Sequence, residues 1–531
     1  MVTYNVILKK GVDYQSFWDD MENENDGGNL YIPNRKVDSP NLRPDSERQT
    51  WYSLTEEEAE LVRQDSRVLA VEIPPEFRDD IVIGPRGRQA GVFTKTTADS
   101  GRYHNWGLIR TIFNRNVYGT SSTTTEEFKY TLTGRGVDLV TQDSGIQIDH
   151  PEFEDENGNS RFESINWGSY SGGAFSQSGN HDRDYDGHGT HCAGIAGGKT
   201  FGWARNAKIL HQKIAGLEGS GDSGTGISPT YAFDAIKAWH NAKPINPKTG
   251  YKRPTVVNMS WGYLSTYSSA SSINYRGTTY SGVDIDTTTE RNNNYGLITA
   301  YYSFPSTFAT NLRIASVDTD IEELLEAGVH VCVAAGNRSH KIDEPGGTDF
   351  NNVLNGTLYY HRGSSPYGDS EQDGGPRAII VGNMDSTSAN GTTDQKATSS
   401  ETGPGVDIYA PGTNIMSCTS TTNRFTDGNY YANSSYKQCN ISGTSMASPQ
   451  VAGVLSCLLE LHPEWTPAQA KQWLLDNANT SILNTGTGND WTNNRSLKGG
   501  EAKVLFMPFK EAEPLRMVGV SPTFNVSVVE R

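Results

Sequence analysis

The sequence predicts an α/β protein in which a parallel sheet is flanked by helices, preceded by a smaller α+β domain. Two observations lead there. From about residue 137 onward, short apolar runs alternate with helical patterns, as expected of βα units whose strands are buried on both faces. The residues able to do chemistry fall at the ends of such strands or the starts of helices, where α/β proteins place their ligands. A third observation sets the N-terminal part aside. Residues 1–80 hold 9 Lys+Arg against 18 Asp+Glu, about half of the formal net charge of -17 carried by all 531 residues.

In the N-terminal part, residues 4–8 read as a strand and 12–22 as a helix carrying Phe17, Trp18 and Met21. Residues 49–54 give a second strand. Thr55 and Glu58 then form a capping box, in which each side chain accepts from the other residue's backbone N–H, opening a helix with Ala59, Leu61 and Val62 inward. Val68 to Ile73 closes the set as a third strand. From Pro74 to about residue 105 there is no sustained period, only scattered Pro, Gly, Arg and Thr, so this stretch reads as a linker open to proteolysis.

Beyond it, Gly136 to Gln142 is an apolar strand delivering Asp143, and Asp186 to Gly194 begins a helix of small residues. Residues 207–210 read as a strand, Ser228 and Pro229 open a helix to Ala242, and 255–260 and 329–335 read as buried strands, the second fed by a helix over 319–327. After Gly443, Thr444 and Ser445 an apolar run to Leu459 reads as a buried helix, with Pro449 expected in its opening turn.

Composition narrows the functional classes. The acidic balance leaves no basic stripe to neutralise phosphates, so nucleic acid is not an expected partner. No apolar run approaches the roughly 20 residues of a membrane helix, and the protein is expected to be soluble without a membrane partner. Met1 to Lys10 has its charges after a short apolar strand and does not read as a secretory signal, leaving the compartment open. Five cysteines are too few for a disulfide framework, and without a CxxC pair structural zinc is not expected. Cys192, Cys332 and Cys457 read as buried small hydrophobes. Cys418 and Cys439 bracket a Thr/Ser/Asn-rich excursion that could be bridged or could carry two thiols.

Acyl transfer by a serine needs a base for the hydroxyl proton, an acid to orient that base, and donors for the oxyanion. Asp143, His188 and Ser445 supply such a set in the chain order Asp, His, Ser. Asp143-Ser144-Gly145-Ile146 with His150-Pro151-Glu152-Phe153, Gly187-His188-Gly189-Thr190-His191-Cys192-Ala193-Gly194, and Gly443 to Pro449 resemble the aspartate, histidine and serine boxes of the subtilases. Cys192 and Gly198 to Gly202 point to the proteinase K branch. The resemblance runs in patches from about Trp106 to Ala478.

That resemblance implies a subtilisin-like fold and a serine endopeptidase acting on polypeptides without a cofactor for its chemistry. Ser445 would be the nucleophile, His188 the base and Asp143 its orienter, with His191 as a rival base. Ala334-Ala335-Gly336-Asn337 resembles the oxyanion segment, making Asn337 a donor. Ser260-Trp261-Gly262 resembles the edge that pairs with substrate and walls the P1 pocket, with Gly336 beside it and Ser223 and Gly224 on the opposing edge. Trp261 and Tyr263 suggest an apolar or aromatic P1 residue. Gly221-Asp222-Ser223-Gly224 mimics the serine motif of chymotrypsin-like proteases but lacks its setting. A structural calcium is also implied, with Asp407 as ligand and the carbonyls of Pro376 and Ala378 beside it.

The implied organisation is an inhibitory prodomain over 1–73, a processing linker over 74–105, a catalytic domain over 106–480 and a C-terminal extension over 481–531. The molecule would be a monomer whose prodomain is its own intramolecular inhibitor. Two other readings fit the same residues: a catalytically silent peptide-binding protein, or a ligase passing the acyl group to an amine. Four departures stand out. The stretch from Tyr263 to about Ser316, together with 339–375 and 418–439, is long enough to rim a cleft. Gln142 stands beside Asp143, where the subtilases favour an apolar residue.

Overall fold

The computed structural model describes residues 1–22, 35–39, 48–74, 87–95, 104–247, 249–282, 287–298, 308–482 and 490–509. The chain divides into two compact units, Met1–Ile83 with Pro247–Gly250, and Gly84–Asn246 with Tyr251–Arg531.

The first unit is a three-stranded antiparallel sheet with Val2–Leu8 between Gln49–Leu54 and Val68–Glu72. Helices Tyr14–Glu22 and Glu56–Arg63 accompany it. Apolar residues of the three strands and Phe17, Met21, Ala59 and Val62 from the helices form its core. Thr55 and Glu58 make the expected capping box. Leu61, expected inward, is exposed.

The second unit is built on six parallel strands in the order Ile408–Pro411, Ile379–Met384, His330–Ala334, Thr255–Met259, Asp138–Asp143 and Lys208–Lys213. Every residue of the four central strands is buried, which explains why none of them alternates apolar and polar residues. Gln142 is accommodated within the sheet. It lies opposite Gln212 on the neighbouring strand, its Nε2 donates to Gln212 Oε1 at 2.8 Å, and Gln212 Nε2 donates to the Ala232 carbonyl at 3.0 Å.

Helix Thr444–Leu461 packs under the sheet with 17 of its 18 residues buried. Pro449 is its sixth residue, not part of its first turn, which corrects the expectation from sequence. Residues 87–95, expected in the linker, contribute short strands: Gly87–Gln89 pairs with Phe128–Tyr130, and Phe93–Thr94 with Thr123–Thr124. Residues 75–86 and 96–103 of that expected linker lie outside the described residues.

The long stretch after Ser260 folds around a small core of its own. Tyr263–Tyr267 pairs antiparallel with Phe308–Leu312, and Ile273–Tyr275 joins Thr278–Tyr280 and Val353–Leu354. Tyr267, Ile273, Tyr295, Leu297, Leu354 and Tyr360 form that core. In the tail, Val504 bridges to both Tyr409 and Asn479, adding backbone to the outer edge of the six-stranded sheet. All five cysteines are free and buried. Cys418 lies opposite Gln438, and Ser417 opposite Cys439. A one-residue offset turns two side chains to opposite faces, so the geometry does not favour the bridge. Among the described residues no helix is long and apolar enough to cross a membrane.

Candidate active site

The strand Asp138–Asp143 ends on a buried carboxylate, and the helix His188–Gly197 begins on an imidazole. They meet. His188 Nδ1 lies 2.9 Å from Asp143 Oδ1 and 3.0 Å from Oδ2. Asp143 Oδ1 also accepts the Ser144 N–H at 2.8 Å. Burial alone would lower the His188 pKa, but the Asp143 carboxylate outweighs it, and the imidazole is held well above its ordinary value.

Asp184, which drew no notice in the sequence, fixes the start of the His188 helix. Its Oδ1 accepts from Gly187 N at 2.8 Å and from Ser144 Oγ at 3.0 Å; its Oδ2 accepts from Thr190 N at 2.9 Å and from Thr190 Oγ1. A carboxylate taking several N–H groups at a helix N-terminus is a strong cap. The signal was an Asp four residues before the histidine. His191, the rival base, is fully buried and hydrogen-bonded to the Cys439 carbonyl at 3.1 Å, and burial pushes its pKa down to about 3. It is a packed, neutral side chain.

Ser445 is the second residue of its helix. Its hydroxyl donates to the Ser260 carbonyl at 3.3 Å, and its own carbonyl accepts from Ser260 Oγ at 3.0 Å and from Cys192 Sγ at 3.3 Å. Cys192 Sγ also stands 3.8 Å from His188 Nδ1, so one thiol touches both halves of the site. Asn258 extends the network, donating to Ser260 Oγ at 3.1 Å and accepting from Ser448 Oγ at 2.8 Å.

The amide of Asn337 has its orientation set by chemistry. The atom facing the Thr444 N–H at 2.9 Å must be an acceptor, so it is Oδ1, and Thr444 Oγ1 adds a second bond at 3.2 Å. Thr444 Oγ1 in turn accepts the Gly336 N–H at 3.1 Å. The amide group as a whole lies beside Gly443. Ser260, Trp261, Gly262, Gly336, Asn337 and Ser445 line one pocket of about 180 Å³.

Ser223 and Gly224 are exposed on a turn and are not among the residues lining this pocket. The turn is anchored by an ion pair between buried Asp222 and Lys213, and the chain then bridges back from Ile227 to Ile214. The residues expected around calcium do come together, but the donor set does not fit the ion. Lys471 Nζ lies 2.9 Å from Asp407 Oδ1 and 3.1 Å from the Ala378 carbonyl, while Asp407 Oδ2 accepts the Ile380 N–H at 2.8 Å and the Pro376 carbonyl accepts the Asp369 N–H at 3.2 Å. An ammonium group already satisfies the oxygens that a divalent cation would need.

A hydroxyl at a helix start, a carboxylate-held imidazole and an amide anchored by Thr444 are groups suited to nucleophilic attack on a carbonyl. Residues 134–496 match the model of the subtilase family. The chain belongs to that family. Among curated subtilases, it is 27% identical over 349 residues to a cuticle-degrading serine protease of Arthrobotrys oligospora, covering 66% of this chain and 57% of that protein. It is 27% identical over 383 residues to subtilisin-like protease 3 of Saccharomyces cerevisiae, covering 70% and 57%, and 27% identical over 361 residues to subtilisin-like serine protease pepC of Aspergillus niger, covering 66% and 48%. The matched part of this subtilase thus spans about half the length of those relatives.

Proposed function

We propose that this subtilase is a serine endopeptidase that hydrolyses polypeptides through an acyl-enzyme on Ser445. The observation carrying this reading is the double contact of His188 Nδ1 with Asp143, made where a strand end meets a helix start. The carboxylate fixes the tautomer, leaving Nε2 free to take the Ser445 proton and later to protonate the leaving amine. The tetrahedral oxyanion is held by the Ser445 backbone N–H and by Asn337 Nδ2, whose orientation Thr444 maintains. Extended substrate pairs with the backbone at Ser260 to Gly262, and Ser223 and Gly224 supply the opposing edge. No cofactor takes part.

The N-terminal unit is proposed as a prodomain that inhibits the catalytic unit until the enzyme cuts the chain between about residues 74 and 105, yielding a monomeric protease. The test is the intact mass, over time, of purified wild type and Ser445→Ala, with a fluorophosphonate added to a wild-type aliquot. Loss of an N-terminal fragment in wild type alone, with one phosphonate on Ser445, supports the reading. Maturation of purified Ser445→Ala would overturn self-processing, and an unlabelled, uncut wild type would overturn the protease.

A further inference from the structure

The pocket beside Ser445 contains a group that the acyl-transfer machinery does not use. Glu401 lines it and is fully buried. The glutamate reaches the pocket from a distant part of the sequence because its backbone N–H donates to the Gly336 carbonyl at 2.9 Å, which lays residues 400–402 alongside the oxyanion segment. Its Oε2 accepts from Asn311 Nδ2 at 3.1 Å. Its Oε1 has no hydrogen-bond partner among the described residues.

The position of that free oxygen is marked by a missing side chain. A Cβ on Gly336, whose φ is +120°, would lie 2.5 Å from Glu401 Oε1. The glycine therefore leaves room for the carboxyl against the pocket wall. Gly262 on the other wall is equally constrained, since a Cβ there would meet the Ser364 backbone at 2.6 Å. Trp261 and Leu264 add apolar surface. The result is a slot with Trp261 and Leu264 as its apolar surface, an acid within, and Arg338 also on its lining.

We propose that Glu401 makes this subtilase select substrates with lysine or arginine at P1, the aliphatic stem lying along the apolar walls and the cationic head reaching Oε1. This rests on the protease reading above. Three groups already face the acid: Asn311 by its hydrogen bond, and Arg338 and Lys396 through their charges. Burial still dominates and pushes the carboxyl up to about 8. A desolvated carboxyl oxygen lacking a partner is unfavourable, and an entering cation supplies the partner while restoring ionisation. Neutral P1 side chains leave the oxygen unmet. Acidic ones meet a like charge or require the acid to stay protonated. Lys396 does not fill the role, because its Nζ donates to the Ala397 and Ser400 carbonyls at 2.8 Å each.

The test compares kcat/KM for fluorogenic peptides that share P2–P4 and carry Lys, Arg, Leu, Phe or Glu at P1, using mature wild type, Glu401→Gln and Glu401→Ala. Active enzyme is counted by fluorophosphonate titration, which separates lost specificity from lost folding. The expected result is a wild-type Lys-to-Leu ratio of about 10 to 100, falling about tenfold or more in Glu401→Gln. A wild type preferring Leu, Phe or Glu overturns the proposal without needing either variant, as does a ratio unchanged in Glu401→Gln. Absence of both hydrolysis and labelling would instead remove the protease reading, and this inference with it.

Discussion

Pro449 stands four residues after Ser445 in one helix and has no N–H to give to the Ser445 carbonyl. That carbonyl is bonded instead by Ser260 Oγ and Cys192 Sγ. The missing helical bond thus ties the nucleophile's backbone to the strand that walls the pocket and to the helix that carries the base.

Pro449→Ala should restore the helical bond and compete with those two donors. Stability is expected to hold or rise, since a proline in a helix interior is unfavourable by about 3 kcal/mol relative to alanine. Activity should fall about tenfold or more through displacement of Ser445. Melting temperature and kcat, measured on the same preparation, check this. A fully active variant would show that the proline does not position the serine.

The Lys471 ammonium on Asp407 leads to a second prediction. A chelator should leave the melting temperature unchanged as far as this position is concerned, whereas Lys471→Met should remove a largely buried ion pair and lower stability by about 2 kcal/mol, a fall of several degrees. Thermal unfolding with and without chelator reads both effects. A drop on chelation in wild type that Asp407→Asn abolishes would reinstate the metal.

The third concerns pH. The folded-state pKa of His188 is raised above its ordinary 6.5, so the imidazolium persists to higher pH and cannot accept the Ser445 proton there. The value of kcat/KM should therefore rise with pH through a transition above 6.5. The stability contributed by the Asp143–His188 pair has the opposite slope: complete below about pH 6.5, it is lost as pH rises through the folded value. Asp143→Asn should move the kinetic transition toward acid and lower its plateau by about 10⁴. Rate profiles and melting curves from pH 5 to 9 test both slopes.

Much of this was legible in the sequence because it is local. The strand ending on Asp143, the helix opening on His188, the Thr55 capping box and the Gly443 to Pro449 box each announce themselves within about ten residues. Asn337 was legible too, at the end of an apolar strand. What stayed hidden depends on chain segments far apart. Glu401 meets Gly336 across 65 positions, Lys471 meets Asp407 across 64, and the Cys418 register emerges only once Ile415–Thr419 and Asn433–Ile441 have paired. Pro449 was misread for a different reason: a proline near a helix start is ordinarily harmless, and only the three-dimensional partners of the Ser445 carbonyl explain how it is tolerated six residues in.

The tail bears on where this protein can be cut. The family match ends at residue 496, but folding does not end there. Leu497, Val504, Leu505 and Met507 are buried, Leu505 N–H donates to the Tyr409 carbonyl at 2.8 Å, and Met507 N–H donates to the Thr111 carbonyl at 2.9 Å. A recombinant product trimmed to the family boundary would expose the edge strand Ile408–Pro411 and leave apolar hollows behind it, inviting edge-to-edge association. The smallest version that can be expressed, crystallised or transplanted into another protein must therefore run at least to Phe509.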